Sequence, residues 1–316
     1  VSERVLIAGG TGLLGRALAA KLAGSGRDVV LLSRSPAGKA QDQLPPGCRL
    51  AAWDARTADG WLELAEGARA IVNLAGESIG DGRWSAARKE RILSSRLQAT
   101  AAVVEAIGRA KTPPPVLVQA SGVGIYGERG DEALAEGAEV TAASDDFLAQ
   151  TARSWEAASA GAENYGVRRV VVRTGLVLAR EGGALPRMAL PFRFGLGAVL
   201  GSGRQWMPWI HVEDWVAALE LVLENAEAHG AIHFAAPEPA RQGDFARELA
   251  RTLHRPCLLR VPAWALRAGL GEMSELVLDS QRIVPQRLLD LGFRFRFPRL
   301  PAALADLFHG PRLASR

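Results

Sequence analysis

Three glycines, Gly9, Gly12 and Gly15, stand three residues apart directly behind the apolar run Val5-Leu6-Ile7-Ala8. That pattern can cradle a diphosphate. Gly9 permits a tight turn, Gly12 lets backbone N–H groups approach phosphate oxygens, and Gly15 lets a helix pack closely on the strand. The helix N-terminus adds unpaired N–H donors and a partial positive charge. Gly9, Thr11, Gly12, Leu13 and Leu14 are therefore the expected first contacts with a dinucleotide. After a second run, Asp28 to Leu32, comes Ser33-Arg34. An acidic residue at this strand end would bind a ribose 2′-hydroxyl, whereas an arginine accommodates a 2′-phosphate. No Asp or Glu stands there, which points to NADP; the plainer alternative is a surface arginine. Lys39 adds charge in the loop that follows. Asp54, after the run Cys48 to Trp53, either accepts from an adenine amino group or holds a turn.

Ser121 and Tyr126 follow the run Val116 to Ala120. In an open α/β sheet the carboxyl ends of strands line the ligand crevice, so Ala120 and Ser121 are expected cofactor contacts and Ser121 and Tyr126 fall where chemistry would occur. Tyr126 is a candidate acid/base or a pocket wall. His211 is a second candidate, or an anchor for the helix after it. Glu77 and Trp206 complete the expected substrate pocket. Asn73 is placed to hold a turn with its side-chain amide, and the small residues Ala75 and Gly76 let the backbone pass a cofactor ribose.

The elements that must position these residues alternate. Val5 to Ala8 has no polar alternation, as in a parallel strand covered on both faces. Leu14, Leu18 and Leu22 mark an amphipathic helix. A short helix around 61–66 and a strand from Ala70 to Leu74 follow. A helix from Ser85 to Ala110, capped by Ser85, carries apolar positions 92, 93, 97, 103, 104 and 107, with Arg91 and Arg96 read as a solvated face. Pro113 to Pro115 break the chain before the strand at 116–120. Residues 128–144 read as a flexible polar loop. A helix starting at Asp145 or Asp146 has Trp155 in its core stripe. A strand spans Arg169 to Arg173. Beyond 178 come a helix through Leu190 and one capped by Asp214 that runs to Glu224. A strand from Ile232 to Ala235 should return to the large sheet. Helices fall near 243–253, 262–270 and 273–280. A strand at 293–297 has Phe293, Phe295 and Phe297 on one face. The expected fold is α/β, a Rossmann-type doubly wound parallel sheet with a smaller C-terminal α+β lid domain. Residues 1–177 with 211–236 form the first unit, and 178–210 with 237–316 the second.

Composition bounds the rest. The chain has 316 residues, 48% of them hydrophobic, enough for one large core or two intimate ones. With 23% charged residues and 8 Trp it is not a disordered chain. The net charge of +4 is scattered, which gives no nucleic-acid surface and suits a polyanionic cofactor. Cys48 and Cys257 match no metal or redox spacing, and reduced thiols in a cytoplasmic protein are expected. No metal site is expected. The first strand begins at once, so no signal peptide is expected, and no apolar run approaches a membrane span.

Together these segments resemble the extended short-chain dehydrogenase/reductases, the class that includes sugar-nucleotide epimerases and dehydratases. The first strand and turn resemble its T-G-x-x-G-x-x-G signature, with Ala8 in place of Thr. Gly201-x-Gly203 through Trp209-Ile210-His211-Val212-x-Asp214 resembles its second signature. A narrower resemblance, to an atypical "epimerase family protein" branch with a C-terminal module of unknown function, rests on Asn73-Leu74-Ala75-Gly76-Glu77, Arg83-Trp84, Ser95-Arg96, Asp146-Phe147, Trp155-Glu156, Arg173-Thr174-Gly175, Pro191-Phe192, Gln281-x-x-x-Pro285 and Gly292-Phe293. It implies NADP binding with contacts at Ser33, Arg34, Leu74, Ala75, Arg96 and Leu176. It allows a homodimer through the long helices after the fourth and fifth strands. One departure stands out. The class uses a Tyr-x-x-x-Lys pair, whose Lys lowers the Tyr pKa. The four lysines here are Lys21, Lys39, Lys89 and Lys111, and none follows Tyr126 or Tyr165 by four. The pair's place on the helix falls near Leu148 and Ala152. The strand-end serine is also out of step: its usual place is Gly122, beside Ser121. Two readings follow, an NADP-dependent oxidoreductase or epimerase with a substitute acid/base and unknown small-molecule substrate, or a non-catalytic NADP sensor.

Overall fold

The computed structural model describes residues 3–35, 44–140 and 146–310. Lys39, Asp145 and the end of the 128–144 segment lie outside them. The first half alternates strand and helix: β1 (Val5–Ala8), α1 (Leu13–Gly24), β2 (Val29–Ser33), β3 (Cys48–Ala52), α2 (Leu62–Ala65), β4 (Ala70–Asn73), α3 (Ala86–Arg109) and β5 (Val116–Gly122). A 3-10 turn at Val123–Tyr126 leads to β6 (Ala133–Leu134), α4 (Phe147–Ala158), β7 (Arg168–Thr174) and β8 (Leu176–Leu178). Then come α5 (Leu185–Arg193), β9 (Gly197–Leu200), β10 (Trp206–Met207), β11 (Trp209–His211), α6 (Val212–Glu224) and β12 (Gly230–Phe234). The chain ends through β13 (Ala240–Arg241), α7 (Gln242–Thr252), β14 (Cys257–Val261), α8 (Ala263–Leu270), α9 (Glu275–Leu278), β15 (Arg282–Ile283), α10 (Gln286–Asp290) and α11 (Leu300–His309).

Seven strands form one parallel sheet in the order β12-β7-β5-β4-β1-β2-β3. The chain leaves β1 toward β2 and β3, then crosses back to β4 on the other side of β1. That reversal opens a crevice at the carboxyl ends of β1 and β4. β1 and β2 are buried at every position because helices cover both faces. On one face Leu18 and Leu22 of α1 and Trp215 and Leu219 of α6 pack on Val5, Ile7 and Val72. On the other, Val103 and Ile107 of α3 pack on Leu6 and Ile71. A separate apolar cluster joins Phe192, Trp209, Phe245, Leu249, Leu304 and Leu307 in the second half of the chain. β12 adds to the sheet edge beside β7, in register Ile232 to Val172.

Three expectations are corrected. Residues 293–297 form no strand. The amides of Arg296 and Phe297 donate to the two oxygens of Asp214, at 2.8 and 2.9 Å, so they are not available to a ladder. Asp214 in turn does not cap α6. His211 does, its Nδ1 accepting from Glu213 N at 3.1 Å. The segment 128–140 is not loose: Arg129 N donates to Ser280 O, Glu128 accepts from Ser280 N, and β6 pairs with β15.

Candidate functional site

The glycine turn is built as its spacing requires. Gly9 has φ +74°, and a Cβ there would lie 2.9 Å from the Leu74 carbonyl and Ala75 N. A Cβ on Gly15 would lie 2.5 Å from Gly10 Cα, so α1 seats against the turn only without one. Gly12 differs: a Cβ there would meet only Gly9 O, at 3.4 Å. The side of Gly12 that carries no methyl is open, and α1 begins with neither a side-chain cap nor an acidic residue in its first turn. Its leading N–H groups are therefore placed to receive an anion. Asn73 Oδ1 accepts from Ala75 N at 3.2 Å while its amide nitrogen donates to Thr100 and Gln119, which holds the end of β4 beside this turn.

A cavity of about 470 Å³ runs from the first residues of α1 across the strand ends. Leu13 and Leu14 form its floor beside α1. Ser121 to Gly124 and Thr174 to Val177 bring in the ends of β5 and β7. Leu148, Thr151, Ala152 and Trp155 of α4 form a wall, and Trp206, Met207, Pro208, Glu275, Asp279 and Gln281 come from the second half of the chain. Leu148 and Ala152, which stand at the expected place of the acid/base pair, thus face the cavity with apolar side chains.

Arg96 is not on a solvated face. It is 9% exposed, with Nη1 donating to Glu77 O and Ile92 O at 2.9 Å and the guanidinium 4.9 Å from the Trp155 ring. Burial lowers its pKa to about 10, which leaves it cationic at neutral pH. Gly76 makes room for it: a Cβ there would lie 3.0 Å from Arg96 Cζ. Trp155 is accordingly a cavity wall as well as a buried residue, its Nε1 donating to Thr100 Oγ1 at 3.0 Å.

Ser121 Oγ donates to Glu156 Oε1 at 2.7 Å. Its proton is thereby committed, and the hydroxyl offers the cavity an acceptor. Glu156 is held by Arg173 through both carboxylate oxygens at 2.9 Å. Arg173 Nη1 also donates to the Tyr126 hydroxyl at 2.7 Å, and that hydroxyl lies 2.7 Å from His233 Nε2. His233 Nδ1 faces the Val284 carbonyl at 3.0 Å, so Nδ1 carries the proton and Tyr126 donates to Nε2. Burial lowers the His233 pKa to about 4, which keeps the ring neutral.

The structure gathers Leu13, Leu14, Arg96, Ser121, Leu176 and Trp206 on one cavity. Ser33 and Arg34 stand at the carboxyl end of β2, with Arg34 exposed. Three pocket expectations are corrected. Tyr126 is 2% exposed and off the cavity wall, because the 3-10 turn after β5 points it at His233. His211 is 1% exposed, packed 4.0 Å from the Phe297 ring, and its pKa is lowered to about 4 by burial. Glu77 turns to Arg88 and Arg91 at 3.2 and 3.5 Å, outside the cavity. Asp54 holds a turn, its Oδ1 accepting from Arg56 N and Thr57 N at 2.8 and 2.9 Å. Glu275 and Asp279, which no motif in the sequence singles out, line the cavity. Their spacing of four is visible in the chain; that they line this cavity is not.

The NAD dependent epimerase/dehydratase family pattern matches residues 5–234, and a domain of unknown function, DUF1731, matches residues 261–307. Epimerase family protein YfhF of Bacillus subtilis (strain 168) is 39% identical over 303 residues, covering 96% of this chain and 97% of that protein. Epimerase family protein SDR39U1 of Bos taurus is 39% identical over 309 residues, covering 96% and 99%. The crystal structure of human SDR39U1 (isoform 2) with NADPH superposes with a TM-score of 0.84 at 34% identity, over 96% of this chain and 98% of that one. A UDP-glucose 4-epimerase from Thermus thermophilus, solved with NAD, shares the fold at a TM-score of 0.78 and 19% identity, over 97% and 99%.

Proposed function

The chain belongs to the NAD dependent epimerase/dehydratase family, and from that premise we propose that it is an NADP(H)-binding oxidoreductase or epimerase acting on a small molecule. The observation that carries this is the reach of the cavity to the start of α1, directly behind the glycine turn: Leu13 and Leu14 line it together with Ser121 and Thr174. The cofactor seen with human SDR39U1, NADPH, fits the residues present. The open side of Gly12 and the uncapped start of α1 receive the diphosphate. Arg34 takes the 2′-phosphate, and Arg96 with Leu74, Ala75 and Gly76 borders the ribose. When bound, NADP(H) supplies hydride chemistry. The chain's own part is to orient and to exclude water. Leu148, Ala152 and Leu176 keep the wall dry, Ser121 accepts one hydrogen bond, and residues 178–210 with 237–316 act as the lid unit. Titration with NADPH and NADH tests the reading. NADPH should bind about 10- to 100-fold more tightly, the span of one charge-assisted contact, and Arg34→Ala should abolish the difference. Equal affinities in the wild type would overturn it.

A second reading, a non-catalytic NADP(H) sensor, draws on Leu148 and Ala152 standing where a proton-transfer pair is expected. It requires NADPH to favour one arrangement of the lid. Limited proteolysis at 128–140 and 237–310 should then change with NADPH, and identical digests count against it.

A further inference from the structure

Two charged groups on the cavity wall are used by nothing described so far. Glu275 and Asp279 sit four residues apart, on α9 and at its end, so both lie on one side. Both line the cavity together with Leu276 and Gln281. Glu275 Oε2 is shut off from solvent, and the Asp146 carboxyl stands close enough to Glu275 to share a proton with it. Among the described residues the one cation on the wall is Arg96, and its Nη1 is already committed to the Glu77 and Ile92 carbonyls. Both residues therefore stand on the cavity wall, and Arg96 is the one cation of that wall among the described residues.

We propose that Glu275 and Asp279 are the charge filter of the substrate end, admitting a compact uncharged or cationic carbonyl compound or alcohol and rejecting nucleoside-diphosphate sugars. The proposal rests on the reading that the glycine-turn end holds the dinucleotide. A diphosphate brought beside these carboxylates would meet like charge between low-dielectric walls, where repulsion is strong. The cavity of about 470 Å³ is shared with the end of the dinucleotide, so the room left beside these carboxyl groups is smaller than the whole and suits a compact substrate. Burial first, then the neighbouring Asp146, Asp279 and Glu272, raises the Glu275 pKa to about 7. Burial, then Asp146 and Glu128, raises Asp279 to about 7 against the opposing Arg267. The filter thus gains negative charge as pH rises from 5.5 to 8.5.

The test is calorimetric titration of the NADPH-saturated full chain with UDP-glucose at pH 5.5 and pH 8.5, for the wild type and for Glu275→Gln/Asp279→Asn. NADPH saturation is measured first, and its failure would overturn the cofactor reading separately. In the wild type, UDP-glucose binding should weaken at least tenfold from pH 5.5 to pH 8.5. In the double variant it should be independent of pH and at least tenfold tighter than wild type at pH 8.5. Wild-type binding that is as tight at pH 8.5 as at pH 5.5 overturns the filter. So does a double variant that binds NADPH normally yet takes no UDP-glucose at either pH, because shape would then do the excluding. Glu275→Gln alone, which keeps Asp279, should show half the pH effect on a logarithmic scale and serves if the double variant does not fold.

Discussion

Tyr126 shows how one residue's surroundings decide its role. Its hydroxyl receives a hydrogen bond from Arg173 and gives one to His233, each at 2.7 Å, so its proton and one lone pair are already engaged. Burial raises its pKa, which moves it away from acid/base work near neutrality. Tyr126→Phe should leave Arg173 and His233 each lacking a buried partner, at about 1–3 kcal/mol apiece. Thermal unfolding should show a Tm lower by several degrees, while NADPH affinity by titration stays at the wild-type value. A loss of NADPH affinity would mean that the tyrosine reaches the cavity after all. His211 follows the same logic: a ring that caps α6 through Nδ1 and stacks on Phe297 is an anchor. From sequence, Tyr126 and His211 were open between chemistry and structure, because a residue type and a strand end do not say which way a side chain turns.

At the scale of elements, the turn between β1 and α1 separates two uses of glycine. Gly9→Ala forces a Cβ to within 2.9 Å of backbone at a φ of +74°, and Gly15→Ala forces one to within 2.5 Å. Neither clash can relax by moving a flexible side chain, so both variants should lower Tm strongly or fail to fold. Gly12→Ala has room, and should cost only about 1 kcal/mol for an alanine at the N-cap. Its methyl group should instead weaken NADPH binding about tenfold or more, by blocking phosphate approach. Thermal melts and titrations on the three variants check the contrast, and a Gly12→Ala chain with unchanged affinity would move the diphosphate away from this turn. The strands and helices of the sheet were legible because their apolar patterns report burial directly. The segment 293–297 reads as a strand in the sequence because alternating phenylalanines look the same whether the neighbouring amides pair with a strand or with Asp214.

For the whole molecule, stability against pH joins groups of opposite sign. His211 and His233 have pKa values lowered to about 4, so their contribution is present above 6.5 and is lost as pH falls toward 4. Glu275 and Asp279 have pKa values raised to about 7 from 4.5 and 3.8. Their contribution is full below 3.8 and is lost as pH rises through 7. Glu275→Gln/Asp279→Asn should therefore gain Tm relative to wild type between pH 5 and pH 8.5, by about 2 °C or more. Melting curves at both pH values check this, and because the histidines are common to both chains they cancel in the difference. A constant difference would mean that the two carboxyl groups are solvated.

No helix among the described residues is long and apolar enough to cross a membrane. The amino-acid sequence by itself determined the parallel sheet, the glycine turn between its first strand and helix, and the lack of a Tyr-x-x-x-Lys pair, since each depends on local pattern and spacing. Only the tertiary structure decided that Arg96 is buried, that Tyr126 turns away from the cavity, and that Glu275 and Asp279 line it. Those outcomes depend on contacts between segments far apart in the chain, or on the direction of one side chain, and neither leaves a periodic trace in the sequence.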